Sequence, residues 1–270
     1  MTALLTGFEG LASPQLQPTP GRFTQRESDF LDYEADWICK IQPQGASFNY
    51  VELAFRWYEA VRRLGLDVDI VRPGDSLDGY ALVLAPSLPI VSEAAEAAFA
   101  AADGVVVFGP RSGSKTRQFS IPDGLPPGPL RSLIPMRVIE VASMRPGVRK
   151  SVSGEIGGAS ERWLEHIETD ARVLARFADG WPALVAEGRS HYLGLWPDAA
   201  ALSSLMSCVA RKAGLATVAL PEGVRLRRCG DLLFAFNYGL EPWPAPFAAA
   251  PILGDAVVAP RSYAVWPTQA

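Results

Sequence analysis

Gly104-Val-Val-Val-Phe-Gly-Pro-Arg-Ser-Gly-Ser-Lys-Thr116 joins an uninterrupted apolar run to a turn rich in glycine and serine. Such a run belongs to a strand covered on both faces, as in a parallel sheet. Just before it, Ser92 is placed to cap a helix through Ala102, with Glu93 and Glu96 in the first turns, where the dipole favours acids. Further back, residues 81–85 read as a buried strand and residues 66–71 as a short one. Val51, Ala54, Phe55, Tyr58, Val61 and Leu64 recur at helical spacing, which predicts a helix over 48–64 laid on a sheet and closed by Gly65. The alternation of strands and helices predicts an α/β fold with an open, flavodoxin-like sheet.

Downstream the texture changes. Residues 109–135 hold six prolines and four glycines, too many for a routine connection, so a functional loop or an excursion at the domain edge is expected. Residues 136–141, 172–177, 183–187 and 191–196 alternate as strands. Asp198 is placed to cap a helix to Lys212, with Gly214 at its end. From about residue 217 the pattern is all-β. Residues 224–228 and 232–238 read as strands joined by a tight turn at Cys229-Gly230-Asp231, and two short strands follow, ending at Tyr263–Trp266. The expected organisation is therefore a leader or linker over 1–27, an α/β domain over 28–215 and a small antiparallel β-domain over 216–270. The β-domain is small enough to need packing against its neighbour.

The chain has 270 residues, 49% of them apolar, which suffices for a packed core. A (β/α)8 barrel takes about 250 residues by itself, so this length leaves no room for a barrel plus other domains. A net charge of −4, with both signs interspersed, argues against a nucleic-acid partner, which needs a basic face. No run approaches the roughly 18 apolar residues of a membrane span, so no membrane partner is expected. Cys39, Cys208 and Cys229 are far apart in sequence, with no paired spacing. This fits reduced thiols and a cytoplasmic address better than a disulfide framework or a zinc site. Neither motif nor spacing calls for a cofactor or a metal.

Three constellations bear on chemistry. Gly109-Pro-Arg-Ser-Gly-Ser-Lys115-Thr116 approaches a phosphate-binding loop, but Ser114 stands where the second glycine is required, and the following Arg-Gln-Phe-Ser-Ile-Pro cannot start a helix. The stretch reads instead as a polar turn with Arg111 and Lys115 solvated or salt-bridged. Glutamine amidotransferases share this sheet type and carry a cysteine on the turn after a strand, with a His-x-Glu pair downstream. Here the turn after Phe108 has no cysteine, although His166-Ile-Glu168 has the spacing and Cys39, read as a loop residue, is free to meet His166 in space. Finally, Asp32, Glu34 and Asp36 alternate around Tyr33 and Trp37 where the first strand is expected to end. Ligands bind at that edge of an α/β sheet. Asp32 and Glu34 would share a face there. Two carboxyls with an aromatic suit glycoside hydrolysis, and a polar strand end anchored by Trp37 is the simpler reading.

Several segments together resemble family 42 glycoside hydrolases, the β-galactosidases. They are Asp32-Tyr-Glu-Ala-Asp-Trp37, Ile41-Gln-Pro-Gln-Gly45, Arg63-Leu-Gly-Leu-Asp-Val-Asp-Ile70, the stretch 104–116, Leu125-Pro-Pro-Gly-Pro-Leu130, Trp181-Pro-Ala-Leu184, Tyr192-Leu-Gly-Leu-Trp-Pro197 and Asp231-Leu-Leu-Phe-Ala-Phe-Asn-Tyr-Gly239. The order is consistent across roughly residues 28–267. The resemblance implies the part of those enzymes after the catalytic barrel: a trimerisation domain like class I glutamine amidotransferases without their cysteine, then a small β-domain. The family's acid and nucleophile are barrel glutamates that match nothing here, so an assembly module inactive by itself is expected. Its partner would be itself, as a homotrimer, or a barrel-bearing chain. Asp32, Glu34, Trp37, Arg111 and Lys115 are the candidate interface or ligand-facing residues. An independent carbohydrate-binding or hydrolytic protein with a remodelled site at the sheet edge is the alternative. The family's first strand is strongly apolar, whereas Arg26-Glu-Ser-Asp29 leaves only Phe30-Leu31 here.

Overall fold

A computed structural model of the chain describes residues 26–30, 33–43, 45 and 47–268, with the backbone alone for 26–30, 33 and 34. Most of residues 1–27, together with Asp32, lie outside the described residues. The first strand, β1 (Arg26–Phe30), is the charged segment itself and begins inside the expected leader. It pairs in parallel on both sides, with β2 (Val68–Val71) and β3 (Tyr80–Ala85). The segment read as a polar strand end is instead helix α1 (Tyr33–Ile41). Ala35, Ile38 and Cys39, at helical spacing, face inward, and Asp36 and Lys40 pair one turn apart at 2.6 Å. Glu34 therefore sits on a helix rather than on a strand face shared with Asp32, and Cys39 is not in a loop.

Helix α2 (Tyr50–Arg62) starts where the Asn49 side chain accepts the Glu52 N–H at 3.0 Å and ends before Gly65, whose positive φ only glycine adopts freely. Its buried stripe is Tyr50, Leu53, Ala54, Trp57 and Val61. Val51 and Phe55, expected in that stripe, are exposed, and Trp57 is fully enclosed. Helix α3 (Glu93–Ala101) is capped by Ser92, whose hydroxyl accepts the Ala95 N–H at 3.2 Å. Strand β4 (Val105–Phe108) follows, parallel to β3. Leu82, Leu84 and Val107 pack on the α2 side, whereas Val83, Ala85, Val106 and Phe108 pack with Phe99 of α3. The expectation of a doubly covered apolar run is met.

Residues 109–135 contain one short 3-10 turn, Gly128–Ser132. An antiparallel half of the sheet follows: β5 (Met136–Ser143), β6 (Lys150–Gly154), β7 (Gly158–Thr169), β8 (Arg172–Phe177), β9 (Pro182–Glu187), β10 (Ser190–Leu193) and β11 (Leu195–Pro197). The strand order is β11-β7-β6-β8-β9-β10-β4-β3-β1-β2, with β5 also on β7. β10 lies parallel to β4 and antiparallel to β9, so it joins the two halves. The sheet is thus mixed, not purely open and parallel. Helix α4 (Ala199–Lys212) has its cap at Asp198 and packs near α2.

The C-terminal strands β12 (Val224–Cys229), β13 (Leu232–Asn237), β14 (Trp243–Pro244), β15 (Val257–Val258) and β16 (Ser262–Pro267) form one three-stranded and one two-stranded antiparallel sheet. Cys229 pairs with Leu232 across the expected tight turn. Val224, Leu226, Ala235, Trp243, Val258, Ala264 and Trp266 build a separate small core.

Candidate functional site

The loops after β3 and β4 lie side by side at the carboxyl edge of the parallel strands. Backbone bonds zip them together: Gly109 N–H to Ala85 O (2.7 Å), Gly113 N–H to Leu88 O (2.8 Å) and Lys115 N–H to Pro89 O (2.9 Å). The Ser112 hydroxyl also accepts the Leu88 N–H at 3.0 Å. The glycines serve this contact. A Cβ on Gly109 would collide with the Pro86 carbonyl, and one on Gly113 with that of Pro127. The motif that approaches a phosphate loop therefore commits its Gly109, Gly113 and Lys115 amides to the neighbouring loop, and those of Ser112 and Ser114 bond within the turn.

Arg111, the third residue of this turn, has a φ of 67°, a left-handed conformation costly for a side chain with a Cβ. It is not solvated: 1% of its surface is exposed. Its guanidinium lies 4.9 Å from the Phe48 ring centroid and 5.7 Å from that of Trp163, and Nη1 donates to Cys39 Sγ at 3.2 Å. Nε and Nη2 have no hydrogen-bond partner among the described residues. Lys115, 9% exposed, makes no salt bridge there either. Burial and then the Arg111 charge pull its ammonium below the usual lysine range. The expectation of solvated or salt-bridged cations is corrected at both positions: Phe48 and Trp163 cover Arg111, and Lys115 is buried where its backbone joins the neighbouring loop at Pro89.

Glu165 on β7 is the buried acid of this region. One oxygen accepts the Arg111 N–H (2.8 Å) and the Trp163 indole N–H (3.1 Å), and the other accepts the Tyr192 hydroxyl (2.8 Å). Burial pushes its carboxyl above the usual range, against those three bonds and the Arg111 charge. Tyr192 is also raised, by burial first and then by Glu165. Sequence reasoning missed Glu165. The available signal was the alternation Trp163, Glu165, Ile167, an acid at an apolar position of a period-2 pattern.

The other expected groups do not assemble into a nucleophilic site. Burial raises the Cys39 thiol despite Arg111 beside it, which disfavours the reactive thiolate. His166 bonds Glu140 at 3.1 Å and stacks on Trp181 at 4.9 Å, while Glu168 pairs with Arg137 at 3.0 Å. His166 neighbours Glu165 along β7, so the two point to opposite faces. Trp37 lies on the outer face of α1 with Ile41 one turn on, both exposed. Asp32 is outside the described residues, and only the backbone of Glu34 is placed. Among the described residues no group of acids, histidines and cysteines has metal-ligand geometry, and no helix is long and apolar enough to cross a membrane.

Comparison with known proteins places this arrangement. The family described as Beta-galactosidase trimerisation domain matches residues 30–216. The chain is 51% identical over 239 residues to the β-galactosidase BgaA of a Thermus species, covering 87% of this chain and 37% of that protein. The β-galactosidase of Thermus thermophilus is 50% identical with the same coverage. The crystal structure of the β-galactosidase of the psychrophilic Marinomonas ef1 superposes with a TM-score of 0.87 at 36% identity, over 90% of this chain and 38% of that one. The chain thus spans little more than a third of the length of these relatives. By family match, identity and superposition alike, it belongs to the trimerisation domains of the family 42 β-galactosidases.

Proposed function

We propose that the chain is an association module whose α1–α2 face joins copies into a trimer of the β-galactosidase type. The observation that carries this reading is apolar surface left in water. Trp37 is 60% exposed and Phe55 56%, and Ile41 and Val51 are exposed beside them in sequence on two helices that pack together. Soluble surfaces rarely gather such residues except at contacts, and large aromatics anchor contacts best. A closed threefold ring needs a patch of this kind meeting a different patch on the next copy.

The parallel strand order β2-β1-β3-β4-β10 supports the flavodoxin-like and amidotransferase-like description. The enclosed Arg111 at the turn after β4, where those enzymes carry their cysteine, supports a module that associates rather than catalyses. We divide the chain into an α/β trimerisation domain over 28–215 and a β-domain over 216–270, the separate C-terminal core supporting the boundary. Hydrolysis of β-galactosides, as the relatives' names describe, belongs on this reading to an assembly that includes a catalytic barrel. Three free cysteines, two of them buried, support a reducing compartment such as the cytoplasm.

Sedimentation equilibrium tests the interface. Three chains are expected in the wild-type particle, and one in the Trp37→Asp/Phe55→Asp variant, with unchanged circular dichroism. A wild-type monomer overturns the proposal, as does a double variant that keeps the wild-type mass.

A further inference from the structure

We propose that the loops after β3 and β4 form a binding site for a small oxyanion, a carboxylate or phosphate group held by Arg111 and Lys115. The first ground is charge. Arg111 and Lys115 are each buried, four residues apart on one loop, and no carboxylate of the described residues forms a salt bridge to either. Glu165, a buried acid beside Arg111, directs its oxygens to the Arg111 backbone N–H, Trp163 and Tyr192 rather than to the guanidinium. Asp36 is engaged by Lys40. Among the described residues, Arg111, Lys115 and Glu165 together keep one positive charge in excess even with Glu165 fully ionised. An unpaired charge under cover is strongly unfavourable, so an anion there stabilises the fold.

The second ground is the unsatisfied donor set. Nε and Nη2 of Arg111, the side of the guanidinium that grips an oxyanion with two parallel bonds, are both buried and without a partner among the described residues. The remaining nitrogen is on Cys39, and Phe48 and Trp163 lie within cation–π distance, so the fork is oriented before any ligand arrives. The hydroxyls of Ser87 and Ser114, on the same two loops, are also buried and unpartnered, as is the indole N–H of Trp57, whose ring abuts Gly109. Each of these can donate a proton, which suits oxygens carrying negative charge.

The third ground is position. The site lies where the loops after β3 and β4 meet α1, which contributes Cys39. In a sheet with parallel order β2-β1-β3-β4, ligands bind at this carboxyl edge. This inference does not depend on association, and its test reads binding rather than mass.

The whole 270-residue chain is titrated with inorganic phosphate and, separately, acetate, at constant ionic strength against chloride. Thermal melting and tryptophan fluorescence are followed. One of the two anions is expected to bind saturably, raising Tm by about 5–10 °C at 100 times its dissociation constant. The anion that binds distinguishes the phosphate from the carboxylate form of the site. Lys115→Gln is expected to weaken that affinity about tenfold, and Arg111→Lys, which keeps the charge but removes the fork, to abolish saturation. Should Arg111→Lys fail to fold, Lys115→Gln alone decides. The proposal is overturned if neither anion binds saturably, or if wild type and Lys115→Gln show the same unsaturable rise in Tm, the signature of general exclusion of the salt from the protein surface.

Discussion

Glu165 shows how one side chain can organise a core while remaining a liability to it. Its carboxyl takes three hydrogen bonds yet is raised by burial, so the folded state holds this proton more tightly than the unfolded chain. The unfolded value is about 4.3. For a raised acid the stabilising contribution is complete below that pH and is lost as pH rises toward the folded value. Glu165→Gln offers an oxygen to Arg111 and Trp163 and an amide to the Tyr192 oxygen without a charge to bury. Its urea midpoint is therefore expected to gain on wild type as pH rises from 4, until the folded protein too has lost the Glu165 proton. A constant difference across that range would falsify the assignment. Glu165→Leu instead strands two buried N–H groups, at about 1–3 kcal/mol each, and is expected to be less stable than Gln at every pH. Arg111 and Lys115 were legible as a pair at a loop, because their spacing after an apolar run is visible. Their burial was not, since it depends on Phe48, Trp163 and the loop at Leu88, 24 residues before its partner Ser112.

Elements were legible in proportion to how local their signals are. Ser92 and Asp198 cap the helices expected of them because capping involves residues three apart, as in Asp198 accepting the Ala201 N–H at 2.8 Å. Helix α2 was placed correctly but rotated. Its sequence offers two apolar stripes, one through Tyr50, Leu53, Ala54 and Trp57 and one through Val51 and Phe55, and spacing alone does not say which faces the sheet. The structure separates their roles. Trp57→Ala removes a fully buried ring and is expected to cost about 3–5 kcal/mol in urea unfolding, with the association state read separately. Phe55→Ala on the dissociated chain is expected to change stability by no more than about 0.5 kcal/mol, and to act on particle mass. Equal stability losses at the two positions would contradict the orientation. Strand β7 escaped notice because its alternation breaks. Arg162 takes a φ of 66°, and Trp163, Leu164 and Glu165 are buried in succession, so no clean period-2 pattern spans its 12 residues. The same holds for α1. Its acids alternate like a strand end, while its inward residues Ala35, Ile38 and Cys39 follow a helix.

At the scale of the molecule, the small β-module has a core of its own, and hydrogen bonds fasten it to the α/β part around residues 62–67, at the end of α2 and just after it. Val218 N–H bonds Leu64 O at 2.9 Å, Leu220 N–H bonds Arg63 O at 2.8 Å, and Arg228 N–H bonds the Asp67 carboxylate at 3.2 Å. Arg62 is the buried centre of this joint. Nη2 donates to Leu226 O at 2.6 Å, and Nη1 donates to Leu66 O and to Asp67 at 3.2 Å. A module of roughly 50 residues buries too little surface to be secure alone, so coupling through Arg62 should decide whether the chain unfolds in one step. Arg62→Met keeps an unbranched apolar stem but leaves the Leu66 and Leu226 carbonyls without their charged donor, a loss of about 1.5–3 kcal/mol per bond. In calorimetry the wild type is expected to melt once. The variant is expected to show an earlier, separate transition, accompanied by proteolytic cutting within residues 216–223. If Arg62→Met still melts in a single transition at the wild-type temperature, the joint is held by the backbone bonds instead, and the arginine is a passenger in it.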